Sequence, residues 1–385
     1  MVFKGTKDFP DAAAISTAVD SIGAHCNAFT SKEYTGYYVK AASEHLPLAL
    51  NVVSDMLLTP KLDQADIDRE KGVIIEELNM YVDNPQWHIG NIFERMVFAD
   101  PGLAHDIVGT KESINSFTAA DFHAFLQKWY GLENVVLVVA GARAAVSSDE
   151  TMQLIEKAFA KQPAEQRAGS VAIEPILPPL PVSEQYLHVE SRKTQQAHFV
   201  MGWPGLSRKD PERYALALYA VIMGGNMSSR LFSEIREKRG LCYYIHASSD
   251  NYHNTGFLET SAGVDSERVD EAITMTLKLF KESISTDKPT AEQLRRAQDY
   301  LLGKLVLGFE DSESLAQHVG LRQLLYGRVE TIDELRAHIE GVTLKQVHAA
   351  SVKHIKGVKP RLAIIGPFKD QVERFEKLLT TANDE

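Results

Sequence analysis

The sequence predicts an α+β protein made of two homologous α/β halves, and three observations carry that reading. Segments with apolar residues at helical spacing alternate with short apolar or β-branched runs of strand length. Between residues 161 and 185, KQPAEQRAGSVAIEPILPPLPVSEQ is rich in Pro, Ala and Glu without sustained periodicity, which reads as a linker. The second half then repeats the first. SFTAADFHAFLQKWY followed by VVLVVAG aligns with GVTLKQVHAASVKHI followed by PRLAIIG at a constant offset of 225, and DQADIDREKGVIIEEL aligns with TAEQLRRAQDYLLGKL at an offset of 227. The expected division is a first domain over 1–160, a linker over 161–185 and a second domain over 186–385, each domain an antiparallel-rich sheet packed with helices.

Taken in order, a helical pattern runs through Ile15, Val19 and Ile22 and stops at Gly23. HCNAFTSKEYTGYYVKAA has strand composition with a polar break at Ser31 to Glu33, and predicts two antiparallel strands. LPLALNVVSDMLL, at 46–58, is an amphipathic helix, and a further helix runs through Trp87, Ile92 and Phe93. SFTAADFHAFLQKWY opens with Thr118 as its N-cap, and the apolar run at 134–142 predicts a buried strand. Past the linker come strands in HVESRKTQQAHFVMGWPG, a helix in RYALALYAVIMGG stopped by two glycines, and another in MSSRLFSEIREKRG stopped by Gly240. Strands follow in LCYYIHASSD and GFLETSAGV, then three helices and a closing buried strand in KPRLAIIGP.

Composition narrows the function classes. At 385 residues the chain is long for one core, and its 44% hydrophobic and 24% charged content is that of an ordinary globular protein. A net charge of -11 argues against a nucleic-acid surface. Cys26 and Cys242 stand far apart, so neither a disulfide framework nor a cysteine zinc site is implied, and two free thiols slightly favour a reducing, cytoplasmic setting. No apolar run is long enough to span a bilayer.

The chemistry concentrates in residues 63–83, DQADIDREKGVIIEELNMYVD. On a helical wheel Ile67, Ile74, Leu78 and Tyr81 share a face, and Glu70 and Glu77 fall inside that apolar arc, stacked almost two turns apart. Ionised carboxylates are rarely covered without a cation, a donor or a metal, so a positive group is expected opposite. The repeat sharpens the point: Glu70 meets Ala297 and Glu77 meets Lys304 in the second copy, so packing alone does not require carboxylates at these positions.

IDREKGVIIEELNMYVDNP, with GAHCNAFTSKEYTGYY before it and GGNMSSRLFSEIREKRGLCYYIHAS after the linker, resembles the pitrilysin/insulinase family of zinc metallopeptidases over nearly the whole chain. The resemblance implies one Zn²⁺ held by an inverted H-x-x-E-H motif and a distal glutamate, with the motif's own glutamate as general base. That motif stands in the family just ahead of a segment like MVFKGT, where this sequence begins. None of the 13 histidines forms an H-x-x-x-H pair, so the 385 residues as given are expected to be inactive alone.

Residue by residue, the resemblance puts the third zinc ligand on Glu77 and the accessory active-site glutamate on Glu70. Asn27, Ala28 and Phe29 match the edge strand to which substrate is added by main-chain pairing. Trp87 matches an aromatic that shapes the pocket beside the metal, and Arg236 and Tyr243 a pair that the second half turns toward the substrate carbonyl. Peptides or unfolded segments are the implied substrates, cleaved in a chamber formed by two such chains as a homodimer or heterodimer. The competing expectation is a catalytically silent, peptide-binding partner subunit of the same family.

Overall fold

The structure, a computed structural model, describes residues 1–99, 101–160 and 184–384. The expected linker, 161–185, lies almost wholly outside them. The first half contains α1 (Ala12–Asp20), β1 (His25–Thr30), β2 (Thr35–Lys40), α2 (Leu46–Leu58), α3 (Gln64–Asp83), α4 (Pro85–Val97), α5 (Pro101–Ala104), α6 (Lys111–Ser116), α7 (Ala119–Trp129), α8 (Arg143–Val146) and α9 (Asp149–Phe159). The second contains β3 (Leu187–Ser191), β4 (Gln196–Pro204), α10 (Arg213–Gly224), a π-helical turn at Phe232–Glu237, β5 (Cys242–Asn251), β6 (Gly256–Asp265), α11 (Val269–Ile284) and α12 (Ala291–Gly308). It closes with α13 (Ser312–Tyr326), α14 (Ile332–Glu340), α15 (Leu344–Ile355), β7 (Arg361–Gly366) and α16 (Val372–Asp384).

These elements form two compact units, one from the described residues of Met1–Asn79, Ile107–Glu174 and Leu305–Glu330, the other from those of Met80–Asp106, Pro175–Lys304 and Thr331–Glu385. Each unit thus holds helices from the opposite half of the sequence: α13 in the first, α4 and the short α5 in the second.

In the second unit the sheet order is β3-β7-β4-β6-β5, antiparallel except for the β3–β7 pair. Seven consecutive residues of β4 are buried because both sheet faces are covered. On one side Phe199, Met201 and Trp203 join a core with α10, α11 and α15; on the other Val200, Ala363 and Ile365 meet Ile89, Ile92, Phe93 and Met96 of α4. The close approach of α4 depends on Gly202, where a Cβ would lie 2.7 Å from the Phe93 ring and 2.3 Å from the Leu258 carbonyl oxygen. Trp203 is buried with its indole N–H donating to the Val358 carbonyl, 3.2 Å away, so its polar handle is satisfied.

This unit also gathers three carboxylates, Glu94 of α4, Asp250 of β5 and Glu259 of β6. Burial pushes Glu259 up to about 8, with Asp250 and Glu94 adding to the shift; burial raises Asp250 too, against a hydrogen bond from Ser248. A raised carboxyl pKa means that the folded chain holds a proton which the unfolded chain releases near 4.5. Its contribution is therefore fully present below that pH and is lost as pH rises to about 8. Glu259→Gln is expected to flatten this slope and to stabilise the protein at pH 9 by on the order of 2–4 kcal/mol relative to the parent. Denaturant unfolding of both proteins from pH 5 to 9 checks it; parallel curves would mean that Glu259 titrates alike in both states.

The first unit is built on the β1–β2 hairpin, which runs in register from His25↔Lys40 to Thr30↔Thr35, and on a small core of Val2, Ile15, Val19, Val52 and Met56. Fully buried Asp55 of α2 is satisfied by the Asp8 amide at 2.9 Å and the Thr59 hydroxyl at 2.6 Å, which ties the N-terminal turn to this helix. The repeat is visible in the caps: Thr118 opens α7 and Thr343 opens α15, each with a reciprocal capping box.

One expectation is corrected and one refined. Residues 134–142 do not form a buried strand: after a 3₁₀ turn at Leu132–Asn134, residues 135–140 enter no ladder and are only half-buried. Their counterpart β7 is buried throughout because β3 and β4 pair with it on either side, and among the described residues nothing does so for 135–140. An apolar run sets strand propensity but does not supply its partners. In MSSRLFSEIREKRG the helix is wound as a π-helix over Phe232–Glu237, with Gly240 in the left-handed region (φ 59°) after it.

Candidate functional site

Helix α3 is anchored by Ile67, buried at its first turn, and by the Gln64 side chain, whose oxygen accepts from the Ala119 amide at 2.8 Å. The helix also carries Asp66–Arg69 and Asp68–Lys71 pairs at i,i+3. Glu70 and Glu77 are both partly covered. The expected positive group is present opposite Glu70: Lys4 Nζ lies 2.7 Å from its Oε2. Being half-exposed, that pair contributes about 1 kcal/mol or less; its consequence is that Glu70 is engaged. Among the described residues Glu77 makes no hydrogen bond or ion pair, and its carboxylate is free to take a ligand. In the second copy the position of Glu70 is Ala297, which is buried, so a carboxylate there is a departure from what packing uses.

The first unit also carries β1, with Asn27, Ala28 and Phe29 opposite Tyr38, Tyr37 and Gly36. Phe29 lies over Gly36, where a Cβ would sit 2.1 Å from its ring. The Ala28 amide donates to the Asn27 side-chain oxygen at 2.8 Å, not into the ladder, so the Ala28 peptide groups face the outer edge of a two-stranded sheet. Among the described residues no strand pairs with that edge, which can take a further strand.

The second unit carries the other three residues. Trp87 is in the first turn of α4, behind Pro85 and the N-cap Asn84, whose side chain accepts from the Gln86 and Trp87 amides. It is 50% exposed, with its ring 5.7 Å from that of Tyr81. Arg236, exposed on the π-helical turn, holds its guanidinium 4.7 Å from the Phe232 ring centre and makes no ion pair among the described residues. The return through Gly240 is closed by the Gly240 and Leu241 amides donating to Arg236 and Ile235, both at 3.0 Å. Tyr243 follows at once, 77% exposed, because the β5–β6 register skips it: Cys242 faces Val264 and Tyr244 faces Gly263. A bulge of this kind re-aims one side chain out of the sheet. Burial pushes the Cys242 thiol up to about 11, opposed by the nearby charge of Arg236. The structure thus gathers Arg236 and Tyr243 on one turn-and-strand segment of the second unit, and places Glu70, Glu77 and Asn27 to Phe29 on the first.

Lys4 was not foreseen; its only sequence signal is a cation in the N-terminal turn. The bulge at Tyr243 has no sequence signal beyond the neighbouring Gly240. Gly224 and Gly225 stop α10 as expected, and a Cβ at Gly224 would lie 2.6 Å from Ala247 of β5.

Zinc tests this donor set directly. Among the described residues no group of three or more His, Cys, Asp or Glu side chains converges on one point. A catalytic zinc takes three protein ligands and a water, whereas Glu77 is one carboxylate and Glu70 is held by Lys4. The described residues by themselves do not fit a zinc ion.

The five-stranded mixed sheet with helices on both faces, preceded by a half that repeats its helices and caps, makes this an α+β protein of two repeated halves. The chain belongs to the insulinase family, peptidase family M16: that family model matches residues 1–111, and the model of the peptidase M16 inactive domain matches 116–301. An uncharacterized zinc protease of Streptomyces coelicolor is 33% identical, covering 96% of this chain and 80% of that protein. The beta subunit of the human mitochondrial-processing peptidase is 26% identical over 98% of this chain and 77% of its own length. Among solved structures, a peptidase M16 inactive domain from Pseudomonas fluorescens superimposes with a TM-score of 0.85 at 21% identity, covering 95% of this chain and 86% of that one. A protease from Helicobacter pylori gives 0.83 at 18%, covering 95% and 87%. No helix among the described residues is long and apolar enough to cross a membrane.

Proposed function

We propose that this chain takes part in zinc-dependent endoproteolysis of peptides or unfolded segments, contributing one carboxylate ligand, Glu77, and a supporting glutamate, Glu70, to a metal site whose other donors lie outside the described residues. The observation that carries the reading is the pair of partly covered carboxylates Glu70 and Glu77 on one face of α3, kept in a copy of the repeat whose partner has Ala297 and Lys304 there. Substrate is held by the main chain at the outer edge of β1, which fits an enzyme that reads extension more than sequence. Arg236 and Tyr243 supply exposed donors for a carbonyl, and Trp87 an aromatic wall. Pairing with a second related chain accords with the word subunit in the name of the human relative.

A silent, peptide-binding subunit is the second reading, favoured by the lack of a three-ligand cluster among the described residues. Both readings require β1 to bind peptide. Ala28→Pro removes an amide that the β1–β2 ladder does not use, and proline is tolerated on edge strands. It is expected to leave the fold intact while weakening binding of a fluorescent unfolded peptide by about 10-fold, the loss of one or two main-chain bonds. Anisotropy titration measures this, and unchanged affinity would remove β1 as the substrate strand. Cleavage sensitive to chelation, or its absence in a form that retains zinc, separates the enzyme from the silent subunit.

A further inference from the structure

Within the second unit, the π-helical turn at Phe232–Glu237, the second half of α11 and the start of α12 enclose a cavity of about 480 Å³. That volume is in the range of small-molecule sites. Met275 and Leu279 of α11 give it an apolar wall, and Arg230, Arg239, Lys278 and Arg296 bring four cations to its lining. Glu234, Glu282 and Asp287 line it too, so what matters is which charges are already engaged. Glu234 pairs with Lys238 and takes Arg239 Nη1 at 2.8 Å, and Asp287 takes Arg230 Nη1 at 3.1 Å. By contrast Lys278 Nζ stands 3.7 Å from Glu282 and Arg296 Nη2 stands 3.8 Å from Glu292, both too long for a hydrogen bond. Exposed pairs of this kind hold their cations weakly.

Arg230 sets the frame of the cavity. Its side chain is 9% exposed and pins the loop ahead of α12 by donating to the Asp287 and Lys288 carbonyls and to Gln293 Oε1. Gln293 Oε1 also accepts from the Thr290 amide at 3.1 Å, and the Gln293 amide donates to Thr290 Oγ1 at 3.2 Å, a reciprocal cap at the start of α12. With its oxygen fixed in this way, Gln293 leaves Nε2, which makes no hydrogen bond among the described residues, as a donor at the cavity wall. Arg230 Nε and, in a smaller adjoining pocket, Ser229 Oγ are buried without a hydrogen-bond partner among the described residues. A buried N–H that nothing accepts from is costly, and an acceptor nearby relieves it. Helix α12 begins at this wall, so the partial positive charge of its N-terminus adds to that of the side chains.

We propose that this cavity binds a small organic anion, its phosphate or carboxylate head held by Lys278, Arg296 and Gln293 Nε2 and its apolar body set against Met275 and Leu279. Two weakly held cations and a fixed amide donor on one wall supply charge-assisted hydrogen bonds to such a head. The apolar wall selects a ligand with a hydrocarbon part over a bare inorganic ion. The proposed peptide cleavage uses none of these residues, so the inference stands apart from it.

Calorimetric titration of the chain with phenyl phosphate, benzoate and inorganic phosphate tests this without metal or peptide, so its failure and that of the proposed function are distinguishable. At least one organic probe is expected to bind at a single site with a Kd below about 1 mM, and at least about 10-fold more tightly than inorganic phosphate. The tighter of the two names the head group. Lys278→Gln and Arg296→Gln made together should weaken that binding by roughly 10- to 100-fold. Both side chains are more than half exposed, so the double variant should fold as the parent does, which an unchanged Tm checks. Arg295→Gln removes the same charge from the neighbouring position, which pairs with Asp299 and does not line the cavity, and should leave binding unchanged. Three results would overturn the inference: no binding of either organic probe, inorganic phosphate binding as tightly as both, or a loss in Arg295→Gln equal to that in the double variant, which would reduce the effect to diffuse surface charge.

Discussion

Purified in the presence of zinc and then dialysed, the 385-residue chain is expected to retain far less than stoichiometric metal and to produce no peptide fragments above a chelator-treated control. One free carboxylate on α3 meets a dication with too little charge and too few donors to displace its water. Glu70 does not add a second ligand unless it leaves Lys4, 2.7 Å away, and a histidine-free site forgoes the nitrogen donors that zinc prefers. Metal analysis by mass spectrometry with a fluorogenic peptide assay decides the matter. Retained stoichiometric zinc with cleavage that survives Glu77→Gln would show that the donor set lies elsewhere and would withdraw Glu77 from the proposed site.

Much of the fold was legible because its signals are local. Helix periodicity marked α2, α7, α10 and α15, with Thr118 as the cap of α7, and the aromatic, β-branched run around Ser31 marked the β1–β2 hairpin. Pairing was not legible for 134–142, since a strand needs edges that its own residues do not encode; VLVVAG and RLAIIG read alike and fold differently. For the candidate site, helical geometry singled out Glu70 and Glu77, and the repeat told them apart from packing residues. Lys4 and the Tyr243 bulge escaped because one depends on where a long side chain reaches and the other on a register shift between distant strands. The exchange of α4 and α13 between compact units is likewise a property of chain crossing, which periodicity does not record.

Arg236→Ala and Tyr243→Phe, made in a cleavage-competent form of the protein, are each expected to lower kcat/KM for peptides by roughly 10- to 1000-fold, the range for losing a donor aimed at a reacting carbonyl. Both side chains are exposed, and neither forms an ion pair or a side-chain hydrogen bond among the described residues, so their removal should cost little folding stability. That separates the two interpretations of a loss in rate: a folding defect would shift Tm, whereas a functional one would leave Tm and zinc content unchanged. The two substitutions also differ in kind. Tyr243→Phe keeps the ring and deletes only the hydroxyl, so a fall in kcat with KM retained would assign that oxygen to charge that develops during reaction. Arg236→Lys keeps the charge but loses the planar fork that can grip a carbonyl or carboxylate through two N–H groups, and rescue by lysine would point to charge alone. Variants that cleave peptides at the parental rate would confine the chemistry to the first unit and leave Arg236 and Tyr243 as surface residues of a helix and a strand.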